Sequence, residues 1–344
     1  MKTFRFMAAL AGAVSACMWC PSSVSAQAPV QAHIVITDTA LRNDLELPPL
    51  RKEDITVKLN KKPITPSALI PAQGDQNGLQ LMILIDDTLD SSVGNNLTDL
   101  KEFIKGVPNG TQVGLAYMSN TAFTIAQNFT NDRELAANAI RLPRGSLSSM
   151  DSSFLSLISL LKGWPQQKVR REVIMVTDGI DRLRGVTPTP VGGGPYGAGM
   201  GAYSARGARG GLPPATVYHS MPTISVDANS ASEISQRYNV LVHSIYAPGV
   251  GRAGRSSWDL QTGLSGLSKI AEETGGECFS LGTSQLVSFQ PYLERLGKML
   301  SNQYYVVFQA TPGKKAGFQR VKIETELSNS EILAPDNVWV ATAE

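Results

Sequence analysis

Residues 79–92 read LQLMILIDDTLDSS. Six apolar residues, interrupted only by Gln80, run straight into two adjacent aspartates and then into hydroxyls. A nearly continuous apolar run of this length suits a strand buried on both faces, as at the centre of a parallel sheet. Carboxylates are costly to hold near such a core without partners. A buried strand that delivers two acids and Thr88 to its tip therefore points to a site.

The chain around this stretch alternates between the two periodicities. Leu97, Leu100, Phe103, Ile104 and Val107 fall at helical spacing and close near Gly106 and Pro108. TQVGLAYMS (111–119) and TAFTIAQNF (121–129) are strands so close in sequence that they predict a hairpin. Helical stretches at 132–141 and 152–163 precede the strand REVIMVTD (171–178). ASEISQRYN then leads to the strand VLVHSIYA (240–247), and LSGLSKIAEETGG to ECFSL (277–281). QPYLERLGKML (290–300) is a last helix with Pro291 in its first turn. This order predicts an α/β fold: a doubly wound, mostly parallel sheet covered on both faces, with one antiparallel edge strand from the hairpin. In such sheets ligands gather beyond the C-terminal strand ends, near the point where strand order reverses. Asp86 and Asp178 both end strands, so they are expected on one rim.

Both ends of the chain read as β. HIVIT and DITVKL lie among prolines near the start, and QYYVVFQAT (303–311) and GFQRVKIETEL (317–327) near the end. In the last of these Val321, Ile323 and Leu327 alternate with Arg320, Lys322, Glu324 and Glu326. An N-terminal β segment (27–75) and a C-terminal one (303–344) are expected to pack together as a small β module beside a central domain at 76–302. PAQGDQNG (71–78) reads as a linker. Residues of about 182–228 form a Gly- and Pro-rich insertion, which suits a flexible surface loop or a partner-binding lid.

At 344 residues the chain can bury a large core. A net charge of +2 gives no general reason to expect nucleic acid or an anionic membrane as partner. Lys2, Arg5, the apolar stretch FMAALAGAVSACMWC (6–20) and VSA (24–26) read as a signal peptide over 1–26, with the mature chain starting at Gln27. VSAC (14–17) also resembles a lipobox, in which Cys17 would be acylated and kept. Either way a secreted or periplasmic location is expected. No later run approaches the ~20 apolar residues of a membrane span. Cleavage after Ala26 leaves Cys278 alone, so no internal disulfide framework is expected, and a small buried hydrophobe is its plainest role.

Enzyme signatures are missing. His33, His219 and His243 lie in no motif that pairs them with a nucleophile, and the Walker A, H-E-x-x-H and G-x-S-x-G patterns are absent. GVGRAG (249–254) follows no first strand of a dinucleotide fold, and ARGARGG (205–211) is a poor RNA signal in an exported chain. No acid–base partner accompanies the carboxylates, which argues against a hydrolase.

The stretches LMILIDDTLDSSVGNNLTDLKEFI, REVIMVTDGID, VLVHSIYAPG, IAEETGGECF and PYLERLGKMLSNQYYVVFQATPGKKAGFQRVKI carry a family resemblance. From about 79 to 302 the chain resembles a von Willebrand factor type A (VWA) domain, a Rossmann-like fold. The mature chain resembles the secreted bacterial VWFA-related acidobacterial domain family. That resemblance implies a divalent cation, Mg²⁺ or else Mn²⁺ or Ca²⁺, in a metal-ion-dependent adhesion site. The family pattern is Asp-x-Ser-x-Ser, then a Thr on a second loop and an Asp ending a later strand. Asp86 matches the first Asp, Thr88 stands for the first Ser, and Asp178 in VTDG matches the late Asp. Asp90 replaces the second Ser, and Ser149 in SLSSMDSS is placed at the Thr, with Ser148 nearly as good.

Hard cations favour oxygen ligands, and hydroxyls beside two carboxylates hold the ion without quenching its charge. Asp90 adds a carboxylate and should weaken the pull on an acidic partner. A solvated acidic loop on a degenerate scaffold is the opposing reading. The implied function is an exported, non-enzymatic binding or adhesion module for a protein or cell-surface ligand. A structural or assembly component of the envelope with a vestigial metal site is the alternative.

Overall fold

The computed structural model describes residues 29–40, 47–73, 78–145, 151–182 (without 166 and 168), 225–250 and 256–342 (without 285). The expected signal peptide, Ser148, Ser149 and nearly all of the Gly-rich insertion lie outside these residues.

Two β layers come from the chain ends. One four-stranded sheet has the order β13-β1-β11-β4, from Ser330–Leu333, Val30–Ala40, Gln303–Ala310 and Ala68–Pro71. The other has the order β14-β12-β2-β3, from Asn337–Val340, Gly317–Thr325, Ile55–Leu59 and Lys62–Ile64. Ile34, Ile36, Val57, Val306, Phe308, Val321 and Val338 share one buried cluster between them. The turn joining β2 to β3 places Asn60 and Lys61 at φ 49° and 69°, the left-handed pair whose twist suits a two-residue hairpin.

Asp38 on β1 is 2% exposed, and the Ser330 hydroxyl donates to its Oδ1 at 2.5 Å. Burial pushes its carboxyl above the usual range, and the Ser330 bond only partly opposes this. A raised folded-state pKa means that the folded chain holds the proton more tightly, so stability falls as pH rises past the ordinary carboxylate value near ~4. Asp38→Asn is therefore expected to melt above the wild type at pH 7, with the gap shrinking towards pH 3. A melting difference independent of pH would contradict this account.

The central unit is a six-stranded sheet with the order β10-β9-β8-β5-β6-β7. These strands are Cys278–Phe279, Leu241–Tyr246, Arg170–Thr177, Leu79–Asp86, Thr111–Ser119 and Ala122–Thr130. Every pairing is parallel except β6 with β7, the expected hairpin, whose turn holds Asn120 and Thr121 at φ 52° and 61°. β5 is buried at every position. Leu81, Ile83 and Ile85 enter one core cluster with Leu97, Leu100 and Ile104 of α1 (Gly94–Gly106), Ala136 and Ala137 of α2 (Arg133–Asn138) and Leu293 and Leu296 of α6 (Gln290–Ser301). Met82 and Leu84 enter the opposite cluster with Phe154 and Leu157 of α3 (Ser153–Gly163), Ala228 of α4 (Val226–Arg237) and Leu267 and Ile270 of α5 (Ser257–Thr274). That two-sided burial is why the β5 sequence lacks polar alternation.

Helix boundaries follow local chemistry. Asp132, Ser152 and Ser256 cap α2, α3 and α5 by accepting from Leu135, Leu155 and Asp259 amides. Gly275 closes α5 at φ 82°. ECFSL is shorter as a strand than its sequence suggests, only Cys278–Phe279 pairing with β9. The expected helix at 132–141 spans just Arg133–Asn138.

Candidate functional site at the strand switch point

After β5 the chain moves outward to β6 and β7, then returns to the other side of β5 as β8. The order reverses between β5 and β8, and Asp86 ends the first of these while Asp178 follows the second. Asp86 accepts from the Thr88 amide and hydroxyl at Oδ1 (2.9 and 2.7 Å) and from the Thr177 hydroxyl at Oδ2 (2.7 Å). Strand parity explains the last bond, since Asp86 and Thr177 are neighbours on the same face of adjacent parallel strands.

Asp87 points elsewhere. Arg141 grips it through two nitrogens at 2.7 and 3.0 Å, and the Arg144 amide donates at 2.9 Å. Burial opposes its ionisation, but the Arg141 and Arg144 hydrogen bonds and charges outweigh it and hold the carboxyl below its usual range. The Arg141 guanidinium also lies 3.7 Å over the Tyr117 ring. Asp87 thus anchors the 141–145 loop, with partners that Asp86 does not share.

Asp90 caps the short 3-10 turn Ser91–Val93 that opens α1, accepting from the Ser92 amide at 2.9 Å. The Ser92 hydroxyl and amide hold its carboxyl below the usual range. The backbone at 88–90 pairs with the loop after β9: Val250 N donates to Thr88 O and Asp90 N to Pro248 O, both at 3.0 Å.

Asp178 is 1% exposed. Its Oδ1 accepts from the Ile180 amide at 3.0 Å and its Oδ2 from Arg182 Nη2 at 2.7 Å. The Arg182 side chain is only 9% exposed, and its amide donates to Asp151 O at 2.7 Å. Burial, and then the nearby Asp86 charge, push the Asp151 carboxyl up, while the Thr121 amide and Arg182 pull it down. Gly249 roofs the pair, since a Cβ there would lie 2.3 Å from Asp178 Oδ2 and 3.0 Å from Arg182 Nη2.

The rim therefore brings together Asp86, Thr88 and Asp178 and adds Asp151, Thr177, Arg182 and Gly249, which sequence reasoning missed. Asp151 stands in SLSSMDSS, where the family resemblance singles out the hydroxyls. Arg182 lies four residues after Asp178 outside any helix, where that spacing carries no signal.

A divalent ion needs about six oxygens, with carboxylate oxygens turned towards it. Here both Asp86 oxygens are held by hydroxyls and an amide, and Asp178 is turned to a guanidinium. Among the described residues no group of three His, Cys, Asp or Glu side chains has metal-holding geometry. The described residues, as arranged, do not fit a divalent ion, and the misfit is Arg182.

Strand order and rim define the class: a doubly wound, mostly parallel α/β sheet with one antiparallel edge strand, joined by a two-sheet β module from both chain ends. No protein-family model matches the chain, and no curated protein matches it. Among solved structures it is similar to a von Willebrand factor type A protein from Catenulispora acidiphila, at 10% identity over 93% of this chain and 75% of that one, TM-score 0.38. It is also similar to the vWF domain of the type V pili tip protein Mfa5 from Porphyromonas gingivalis, at 12% identity over 67% and 95%, TM-score 0.40. A third is an aerotolerance-related membrane protein from Bacteroides fragilis, at 14% identity over 65% and 98%, TM-score 0.39.

Proposed function

We propose that this chain is an exported, non-enzymatic adhesion or assembly module that binds a protein through the rim at the C-terminal ends of β5 and β8. One observation carries the reading: exposed apolar side chains flank the buried charge cluster at the same end of the sheet. Leu142 and Val287 are 56% and 96% exposed. Leu142 sits against Gly94, and Asn96 donates to Val287 O at 3.1 Å, so both border the first turn of α1, which follows β5 through the 3-10 turn Ser91–Val93. Exposed aliphatics beside a polar rim offer a protein partner apolar area to cover.

Two further observations favour binding over catalysis. Each rim carboxylate is engaged by hydrogen-bond donors, and among the described residues the histidines lie away from it. His243 is fully buried on β9 against Glu172 at 3.0 Å, and His33 is on β1. The N-terminal pattern of charge, apolar stretch and small residues supports export. No helix among the described residues is long and apolar enough to cross a membrane.

The test is capture of envelope protein by the mature chain, compared with a Leu142→Asp, Val287→Asp double variant. Loss of the captured protein at unchanged melting temperature is the expected result. A β-module variant, Phe318→Asp, should capture normally. Capture that survives the double variant but fails with Phe318→Asp would move the interface to the β module and favour a purely structural role.

A further inference from the structure

We propose that Arg182 is the resident cation of this rim: its guanidinium takes the charge position beside Asp178, and Arg182 and a divalent ion exclude each other there. The inference deepens the rim-binding reading, but its test needs no partner, so the two can fail separately.

Four observations point the same way. Arg182 Nη2 lies 2.7 Å from Asp178 Oδ2, and the side chain is almost wholly buried rather than extended into solvent. Its main chain is tied to Asp151 O at 2.7 Å, which fixes where the side chain starts. Three carboxylates crowd the switch point: Asp178 in contact with Arg182, and Asp151 within the fields of both Asp86 and Arg182. Such a cluster needs a positive charge to be held at 1–2% exposure, and Arg182 supplies one. Finally, the Gly249 backbone closes one side of the Asp178–Arg182 contact, since a Cβ there would lie 2.3 Å from Asp178 Oδ2 and 3.0 Å from Arg182 Nη2.

An arginine in this role changes the chemistry of recognition. A metal with an open position accepts a partner's carboxylate directly. A guanidinium already engaged by acids offers no such ligand exchange. Partner capture by the wild type should then be indifferent to chelator.

The experiment is thermal melting of the mature protein in chelator and in Mg²⁺, Mn²⁺ or Ca²⁺ up to millimolar concentration. The wild type, Arg182→Gln and Arg182→Lys are compared. Wild type and Arg182→Lys, which keeps the charge, should show superimposable curves in all conditions. Arg182→Gln should gain a shift that grows with free ion, about 5 °C at roughly 100 times the dissociation constant, as mass action requires. Equal ion responses in wild type and Arg182→Gln, whether present in both or absent from both, would overturn the proposal. Calorimetric titration of the wild type with Mn²⁺ decides without any variant. No binding is expected, and a dissociation constant below about 0.1 mM, in the range of cation sites built for a purpose, would overturn it even if Arg182→Gln does not fold.

Discussion

Arg170→Ala is expected to lose about 3–5 kcal/mol of stability, lowering the melting temperature by roughly 10 °C. Arg170 opens β8 and is 1% exposed. Its Nη1 donates to Leu300 O at the end of α6, at 3.1 Å, and to Gln303 Oε1 at the start of β11. Gln303 is itself fully buried and donates to the Thr37 hydroxyl of β1 at 3.2 Å. One side chain thus joins the parallel sheet to the β module through a chain of buried polar atoms. Truncation leaves two acceptors without their charged donor and opens a cavity, and both effects are large where water is excluded. Arg170→Met fills most of the volume but restores no donor, so its loss should fall between zero and that of Arg170→Ala. Urea denaturation of the three proteins measures both numbers. A loss under about 1 kcal/mol for Arg170→Ala would show that this buried polar chain is not what holds the two units together.

Gly263→Ala should cost about 2–3 kcal/mol, although it adds a single methyl to a helix. A Cβ at Gly263 on α5 would lie 2.6 Å from Asp178 O and 3.0 Å from Gly179 C. Those atoms are backbone and cannot rotate away. Gly179 stands at φ 67°, and a Cβ there would meet Gly263 O at 2.6 Å, so each glycine exists because of the other. Their contact seats α5 directly on the loop that aims Asp178 at Arg182. The control is Gly297→Ala on α6, where a Cβ meets nothing within 4 Å. Ala is the better helix former, so this variant should gain about 0.5–1 kcal/mol. Similar melting temperatures for the two variants would mean that α5 can lift off the rim without penalty.

Much of the architecture was legible in residue order. The buried run ending at Asp86, the hairpin of β6 and β7 and the helices between strands all follow from local period and turn chemistry. The doubly wound class and the rim on which Asp86 and Asp178 meet follow from residue order, because hydrophobic period sets which face a residue takes and strand ends set which rim. Which charges pair depends on the three-dimensional packing of the loops. Asp86 and Asp87 are adjacent, yet one bonds Thr177 across the sheet and the other bonds Arg141 from a distant loop. The family resemblance makes Asp178 in VTDG an ion ligand, whereas in the structure it meets Arg182. Electrostatic partners are chosen by distance in space, and loops without periodicity bring them there, so no pattern along the chain records the choice.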